Sequence, residues 1–389
     1  MTIKAAAHIA GAYEHPGREL PGTSLPQIHA EVALGALADA GLRLSDVDAY
    51  FCAGDAPGFG AISMAEYLGL SLRYLDSTES GGSSYLMHLG HAAAAIAAGK
   101  CHVALITLAG KPRSGGAPPG GSMGDPRAPE HAFETPFGAP TVAQYALAAQ
   151  RHMHEFGTTS RQLAEIKVAA STHAKHNPNA FLPREVTVEE VVASPMISDP
   201  LHRLDCCVVT DGGGALVVVS PEVARDLDRV TVKLLGHGEA PKYPAGGRVD
   251  LTYTGAVWSG PAAFEEAGLQ PADIDYASIY DSFTITVLQC LEDLGFCEKG
   301  QGGPFVAEGS LRAPYGRLPF NTDGGGLCNN HPGNRGGMTK VIEAVRQLRG
   351  EAIPAVQVPD CEFALAHGSG GSLGTRMGSA TVILGRADT

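Results

Sequence analysis

The chain has 389 residues, 44% hydrophobic and 18% charged, with a formal net charge of −13. That length and balance predict a folded globular protein with room for two core-forming layers or two domains, and they exclude a disordered chain. The acidic balance excludes a non-specific nucleic-acid binder, which needs a basic face, and no run of 18 apolar residues offers a membrane span. The first apolar stretch is broken by His8 and Gly11, so it is too short and too polar for a secretory signal. Eight cysteines at irregular spacing, with no C-x-x-C, form neither a zinc pattern nor a compact disulfide framework. The expected compartment is cytoplasmic and reducing, with most cysteines buried.

In chain order, residues 31–42 have apolar positions at helical spacing and end on Gly41; Asp46-Val47-Asp48 then leads into a strand-like stretch from Ala49 to Cys52. The segment from Asp76 to Lys100 organises the chain. A tight turn, Glu79-Ser80-Gly81-Gly82, feeds an Ala-rich helix that stops on Gly99, and an apolar run from Val103 to Leu108 follows. The free N–H groups at such a helix start favour negative charge, which suits acyl-transfer or enolate chemistry. The competing reading is that the two glycines only let a tight turn pack under the helix. Residues 110–140 are Gly/Pro-rich without periodicity and predict a long loop. Residues 141–204 read as helical, with Thr159 or Ser160 as a cap and Asn177-Pro178 as a stop.

A repeat then becomes visible. Residues 262–281 again show a helical pattern ending on Ala267-Gly268-Leu269, a D-x-D (Asp273, Asp275) and a strand-like stretch, and Gly268 lies 227 residues beyond Gly41. Residues 331–350 repeat the plan of 81–99: Gly-rich turn, helix, terminal glycine. The apolar runs 215–219 and 380–384 close the two halves alike. Repeats this far apart predict duplicated α/β halves, with two sheets and helices between and outside them.

Several stretches carry a resemblance: YDSFTITVLQCLEDLGFCEKGQGG (280–303), RLPFNTDGGGLCNNHPGNRGG (317–337), EAVRQLRGEA (343–352), LDCCVVTDGGGALVV (204–218) and MHEFGTTSRQLAEIKVAASTHAKHNPNAF (153–181). Together they resemble the thiolase superfamily, and within it the sterol-carrier-protein-type thiolases and their bacterial thiolase-like relatives. The resemblance implies a five-layer αβαβα fold of two pseudo-symmetric halves. The N-terminal half would span residues 1–220, with an inserted loop domain at about 111–204, and the C-terminal half 221–389. It also implies a coenzyme A thioester as substrate and a homodimer or dimer of dimers.

Family thiolases place catalytic groups on four loops, and the resemblance maps each onto this chain. The Gly-His-Pro histidine is His331, preceded by Asn330 where the family usually has Gly. A neutral imidazole there can donate to a thioester oxygen as its charge develops. The nucleophilic Cys of a Cys-Ser-Thr-Gly or Cys-Ala-Ser-Gly turn is missing: Glu79-Ser80-Gly81-Gly82 matches it, with Glu79 at or next to the Cys position. A carboxylate cannot replace a thiolate in ordinary thiolysis, and Ser80 would need an adjacent base. Cys101 falls too late in the chain, which leaves Cys328, close to His331, as the reserve thiol.

Tyr280-Asp281-Ser282-Phe283 sits where His-Asp-Cys-Phe is expected, so Ser282 replaces the acid/base Cys and Tyr280 the oxyanion-binding His or Asn. Tyr in this position resembles thiolase-like retro-aldolases that shorten steroid side chains; Asp281 is expected to cap or orient the loop. In the fourth loop, 366–371, His367 is either a base or a satisfied loop histidine. Gly81, Gly82, Gly368 and Gly370 could offer backbone N–H groups to an oxyanion of the bound thioester.

The altered set argues against a ping-pong thiolase and favours aldol or retro-aldol chemistry on a CoA thioester. Two alternatives stay open: acyl transfer through Cys328 or Ser80, and a non-catalytic acyl-CoA-binding subunit paired with a small zinc-ribbon/OB-fold protein. No permanently bound cofactor and no metal is expected. Lys111, Arg113, Arg151 and Arg335 are either CoA-phosphate contacts or solvated surface charges. Runs such as Asp211-Gly212-Gly213-Gly214 do not read G-x-G-x-x-G, and no Walker, H-E-x-x-H or G-x-S-x-G motif competes.

Overall fold

The computed structural model describes residues 2–116, 136, 140–242, 250–333, 336–371 and 377–389. Most of the expected 110–140 loop, and Arg335, lie outside the described residues. The N-terminal half contributes β1 (His8–Glu14), α1 (Leu25–Ala40), β2 (Ala49–Phe51), α2 (Ala61–Leu68), β3 (Tyr74–Asp76), α3 (Ser84–Ala97) and β4 (Val103–Gly110). After it come α4 (Thr141–Phe156), α5 (Ser160–Ala174), α6 (Val188–Val192), β5 (Met196–Ser198), β6 (Leu201–His202) and β7 (Gly212–Val219). The rest comprises α7 (Pro221–Asp226), β8 (Val232–Pro241), α8 (Ala256–Ala267), β9 (Tyr276–Ile279), α9 (Thr284–Asp293), α10 (Gly302–Val306), α11 (Gly325–Cys328), α12 (Gly337–Arg349), β10 (Phe363–Gly371) and β11 (Met377–Gly385).

Five layers follow from which way the strand residues face. On β7, Leu216 and Val218 pack with α3 and α12, whereas Ala215, Val217 and Val219 pack with α1 and α2. On β11, Ala380, Val382 and Leu384 face α3 and α12, while Ile383 faces the other way, with α8 and α9. Both faces of each strand are apolar because each is covered. Helices α3 and α12 therefore form the central layer, and α3 is buried on nearly every side. Burying side chains such as Leu86 and Leu89 there contributes about 1.5–3 kcal/mol each.

The two halves were expected to have separate sheets. Instead the strands run continuously in the order β3-β2-β4-β7-β1-β8-β11-β10-β9. The join is short: β1 pairs with β8 only at His8–Lys233 and Ile9–Val232. The duplication itself is visible in the packing. Gly41 and Gly268 end α1 and α8 in the left-handed conformation, at φ 70° and 69°. Gly11 on β1 lies under Ala36, and Gly236 on β8 under Ala263; in each case a Cβ would sit 2.1 Å from the helix carbonyl.

Some boundaries shift for local reasons. Helix α1 starts six residues before the expected stretch, where the Ser24 side chain accepts from Gln27 N–H and Pro26 opens the first turn. Helix α5 is capped by Thr159, whose partner Gln162 completes a capping box. The stretch 141–204 is only partly helical: after α5 and the short α6 it forms the β5–β6 hairpin. Helices α4 and α5 share a core with α9, α10 and α11 of the C-terminal half. Among the described residues no helix is long and apolar enough to cross a membrane.

Candidate active site

Three chain segments that are remote in sequence meet at the mouth of α3. Gly82 lies against the Tyr280 ring so closely that a Cβ there would be 2.4 Å from Tyr280 Cε2 and 2.3 Å from the Ser369 carbonyl. The Tyr280 hydroxyl in turn lies 2.9 Å from His331 Nε2. The turn before α3, the end of β9 and the loop before α12 thus converge through one tyrosine. Tyr280 is placed by its N–H, which donates to the His367 carbonyl at 2.9 Å. His331 is placed by its N–H, which donates to Thr210 Oγ1 at 2.9 Å.

Burial sets the protonation of both groups. It lowers His331 to about 4, against an opposing pull from Asp281, so the imidazole is neutral near pH 7. It raises Tyr280 well above 10, with a backbone hydrogen bond from Gly336 working the other way, so the phenol keeps its proton. A protonated phenol facing a neutral imidazole at 2.9 Å makes a proton shuttle available.

Polar side chains brace this pair from below. Asp281, expected to cap or orient its own loop, instead accepts from the Gly326 and Leu327 N–H groups of the remote α11 at 2.8 and 3.1 Å. Asn330 is also a brace. Its amide donates to Glu14 Oε1 at 2.9 Å and its carbonyl accepts from Thr210 Oγ1 at 2.7 Å. Glu14 is buried and also takes Arg18 at 2.8 Å and Arg346 at 3.3 Å.

The remaining sequence candidates lie in varied settings. Glu79 is exposed and accepts from Gly54 N–H at 2.6 Å and Gly81 N–H at 2.8 Å. Ser80 Oγ points to Met87 Sδ at 3.1 Å and to Ser83 and Ser84 hydroxyls, with no imidazole or carboxylate hydrogen-bonded to it as a base among the described residues. Ser282 is buried, 3.1 Å from Thr286 Oγ1. The stretch 366–371 is not a loop but the end of β10, and His367 is a core histidine there. Its Nδ1 meets Thr381 Oγ1 at 2.9 Å, and burial lowers it to about 3. Gly368 and Gly370 are ladder residues opposite Ala380 and Gly378. Gly370 also touches the turn, since a Cβ on it would meet the Ser80 carbonyl at 1.7 Å. The Gly81 N–H is already taken by Glu79. Cys328 is fully buried in the apolar core under α5, and burial pushes its thiol up.

Of the basic candidates, Lys111 donates to the Pro21 and Thr23 carbonyls. Arg113 pairs with Glu19 and stacks on Phe181, and Arg151 pairs with Glu155. A cavity of about 440 Å³ lies alongside, lined by Lys167, Phe181, Leu182, Arg203 and Cys207 among others. Part of its wall is the segment 206–208, which runs between the two reactive loops: Cys207 N–H donates to the Ser282 carbonyl and Val208 N–H to the Gly326 carbonyl. Cys207 touches the cavity but is otherwise enclosed, and burial, with help from Cys206 and Asp281, raises its thiol. Sequence reasoning missed Cys207 and Thr210; the only signal for them was the cysteine pair at 206–207 inside a motif already quoted.

With this geometry in place, similarity to known proteins becomes informative. Residues 240–386 match the family described as Thiolase C-terminal domain-like. The chain is 37% identical to the steroid side-chain-cleaving aldolase of Thermomonospora curvata, over 90% of this chain and 92% of that one. It belongs to the thiolase superfamily, in the sterol-carrier-protein-type branch. Against the 17-hydroxy-3-oxo-4-pregnene-20-carboxyl-CoA lyase of Mycobacterium tuberculosis, identity is 36%, over 86% of this chain and 89% of that one. The solved Ltp2-ChsH2(DUF35) aldolase superposes on this thiolase-type chain with TM-score 0.89 and 35% identity, covering 99% of this chain and 98% of that one.

Proposed function

We propose that the protein cleaves a carbon–carbon bond of a β-hydroxyacyl-CoA thioester by a retro-aldol step. The observation that carries this reading is the Tyr280 hydroxyl 2.9 Å from a neutral His331, at a turn that bears glutamate where a thiolase has its cysteine. The substrate β-hydroxyl gives its proton to Tyr280, which passes its own to His331 Nε2. The O–H electron pair becomes the carbonyl of the released ketone or aldehyde. The pair from the broken Cα–Cβ bond moves onto the thioester as an enolate. The proton held on His331 then goes to Cα, which leaves the shortened acyl-CoA and restores the neutral imidazole. No acyl-enzyme is needed, and the thiols at Cys207 and Cys328 are both raised by burial, which disfavours the thiolate that acyl transfer requires.

The 440 Å³ cavity beside Cys207 is the proposed entry for the thioester arm, with the exposed Arg203 at its rim. Bulky β-hydroxyacyl-CoA substrates on an apolar skeleton come first, as the relatives' names indicate. The proposed assembly has a small zinc-ribbon/OB-fold partner, in keeping with the Ltp2-ChsH2(DUF35) pairing, and is cytoplasmic. It is also a homodimer. Strand β3 ends the sheet, with one edge unpaired among the described residues, and Phe59, Ile62, Tyr67 and Leu75 stand exposed around it. At the opposite end, β9 is bridged by Phe320. No cofactor beyond the CoA thioester itself enters the proposed step.

The test is direct. Purified protein, alone and with its zinc-ribbon partner, is incubated with β-hydroxyacyl-CoA substrates, and mass spectrometry looks for the shortened acyl-CoA and its carbonyl co-product in equal amounts. Intact substrate in both arms would refute the proposal.

A further inference from the structure

Asp281 touches both sides of the reactive pair. It follows Tyr280 directly in the chain, and its carboxylate holds the Gly326 and Leu327 N–H groups that open α11, the turn from which His331 leaves. The fit is tight: a Cβ on Gly325 would lie 2.2 Å from Asp281 Oδ2, and one on Gly326 would lie 3.0 Å from Asp281 Oδ1 and 3.1 Å from His331 Cδ2. A carboxylate in so dry a place needs a cation, and one is present. Lys340, in the first turn of α12, has its Nζ 2.7 Å from Asp281 Oδ1, with side-chain exposures of 2% and 0%. The contact is a charge contact without an aligned hydrogen bond among the described groups. Asp323 and Glu14 also face Lys340 and, with Asp281, hold its charge against burial.

We infer that Lys340 is a positioning residue for this site. Through its ion pair with Asp281 it locks α11 against the Tyr280 turn and balances the negative charge that the His331 ring would otherwise feel. Among the described residues, the titratable groups facing that ring are Tyr280, Asp281 and Lys340, and the last two act on it in opposite directions: the carboxylate favours the imidazolium and the ammonium disfavours it. Removing the ammonium leaves a buried carboxylate beside the ring with no counterpart. The imidazole then takes up a proton at higher pH and can no longer accept one from Tyr280 in the slightly acidic range. The inference rests on the proposed shuttle for its catalytic meaning, but the charge balance exists independently of turnover.

The experiment reads His331 itself. Histidine-labelled full-length protein is titrated by NMR, with His331→Gln used to assign the resonance, in the parent, K340M, D281N and the double variant D281N/K340M. K340M is expected to raise the His331 midpoint by about one pH unit or more. D281N is expected to lower it, and the double variant to return it towards the parent. With an active substrate in hand, the acid limb of the kcat profile moves with the NMR midpoint while KM changes little. A K340M midpoint equal to the parent's, or a double variant that stays as high as K340M, overturns the inference. If K340M does not fold, the order of D281N, parent and K340Q decides it on the same criterion. A parent enzyme without turnover would count against the retro-aldol proposal alone, because the titration order would still stand or fall by itself.

Discussion

Replacing Tyr280 with phenylalanine removes one oxygen and tests the shuttle. In the parent, that oxygen lies 2.9 Å from His331 Nε2 in a buried setting, with the ring wedged against Gly82. Phenylalanine keeps the ring and its packing, so the turn before α3 stays where it is. What disappears is the proton path and the partner of Nε2. Positioned acid–base catalysis typically supplies 10²–10⁴ in rate, so kcat should fall by about that factor, equivalent to about 3–5 kcal/mol in the barrier. Stability should fall by about 1–3 kcal/mol, because a buried imidazole nitrogen is left unsatisfied. The assay is release of shortened acyl-CoA followed by mass spectrometry under saturating substrate, with a thermal melt as the control for folding. KM should change little, since the phenol acts on the reacting hydroxyl and not on the CoA arm. A Y280F enzyme that keeps a tenth or more of the parent kcat would refute the assignment of Tyr280 to the proton transfer.

Gly82→Ala should cost about 1–3 kcal/mol and displace the Tyr280 ring, because the new Cβ would fall 2.4 Å from it; an unchanged melting midpoint would show that the turn and Tyr280 are not packed together. Cys328→Ala and Ser80→Ala should each retain most of the activity, and intact-mass measurement after incubation with acyl-CoA should find no acyl adduct on either residue in the parent; accumulation of such an adduct would favour acyl transfer. Acid should destabilise the fold. His88, His173 and His331 are lowered by burial to about 4 and His367 to about 3, so the unfolded chain takes up these protons first. Their contribution is complete above about 6.5 and is lost as pH falls from there towards 4, at about 1.4 kcal/mol per pH unit for each histidine. Denaturant midpoints that do not change between pH 7 and 5 would contradict that burial.

The sequence was a good guide where a single residue type has a single physical use. Gly41 and Gly268 end helices in a left-handed turn, and that punctuation was one of the matches that revealed the duplicated halves. Asp281 was readable as a loop-orienting carboxylate, but its partner in the remote α11 was not. Contacts between remote segments were not readable. The join of the two sheets needs only two residue pairs, His8–Lys233 and Ile9–Val232, and nothing in either stretch announces it. The end of β10 was expected as a loop because the family resemblance maps its fourth catalytic loop onto the glycines Gly368, Gly370 and Gly371. They are tolerated in a strand here, and Gly370 in particular leaves room for the Ser80 carbonyl to press against it. Lys340 was not singled out in the sequence at all, because its buried carboxylate partner, Asp281, lies 59 positions earlier in the chain.

The same packing explains why the lost cysteine and the gained tyrosine belong together. Tyr280 is larger than the His or Asn usual at its position, and its ring fills the space over Gly82, where any side chain would collide with it. Its hydroxyl then reaches the imidazole that would otherwise be free to meet a thioester oxygen. Meanwhile Glu79, at or next to the position expected for the nucleophile, is turned outward and spends both carboxylate oxygens on the Gly54 and Gly81 N–H groups. A thiol restored at position 79 would therefore lack a reason to face the cavity, while Tyr280 would still hold His331. The change of chemistry is thus distributed over three contacts: Tyr280 on Gly82, Tyr280 on His331, and Glu79 on its own turn. Reversing it requires undoing the tyrosine first, because its ring takes part of the space over Gly82, beside the Ser369 carbonyl, and its hydroxyl takes the imidazole.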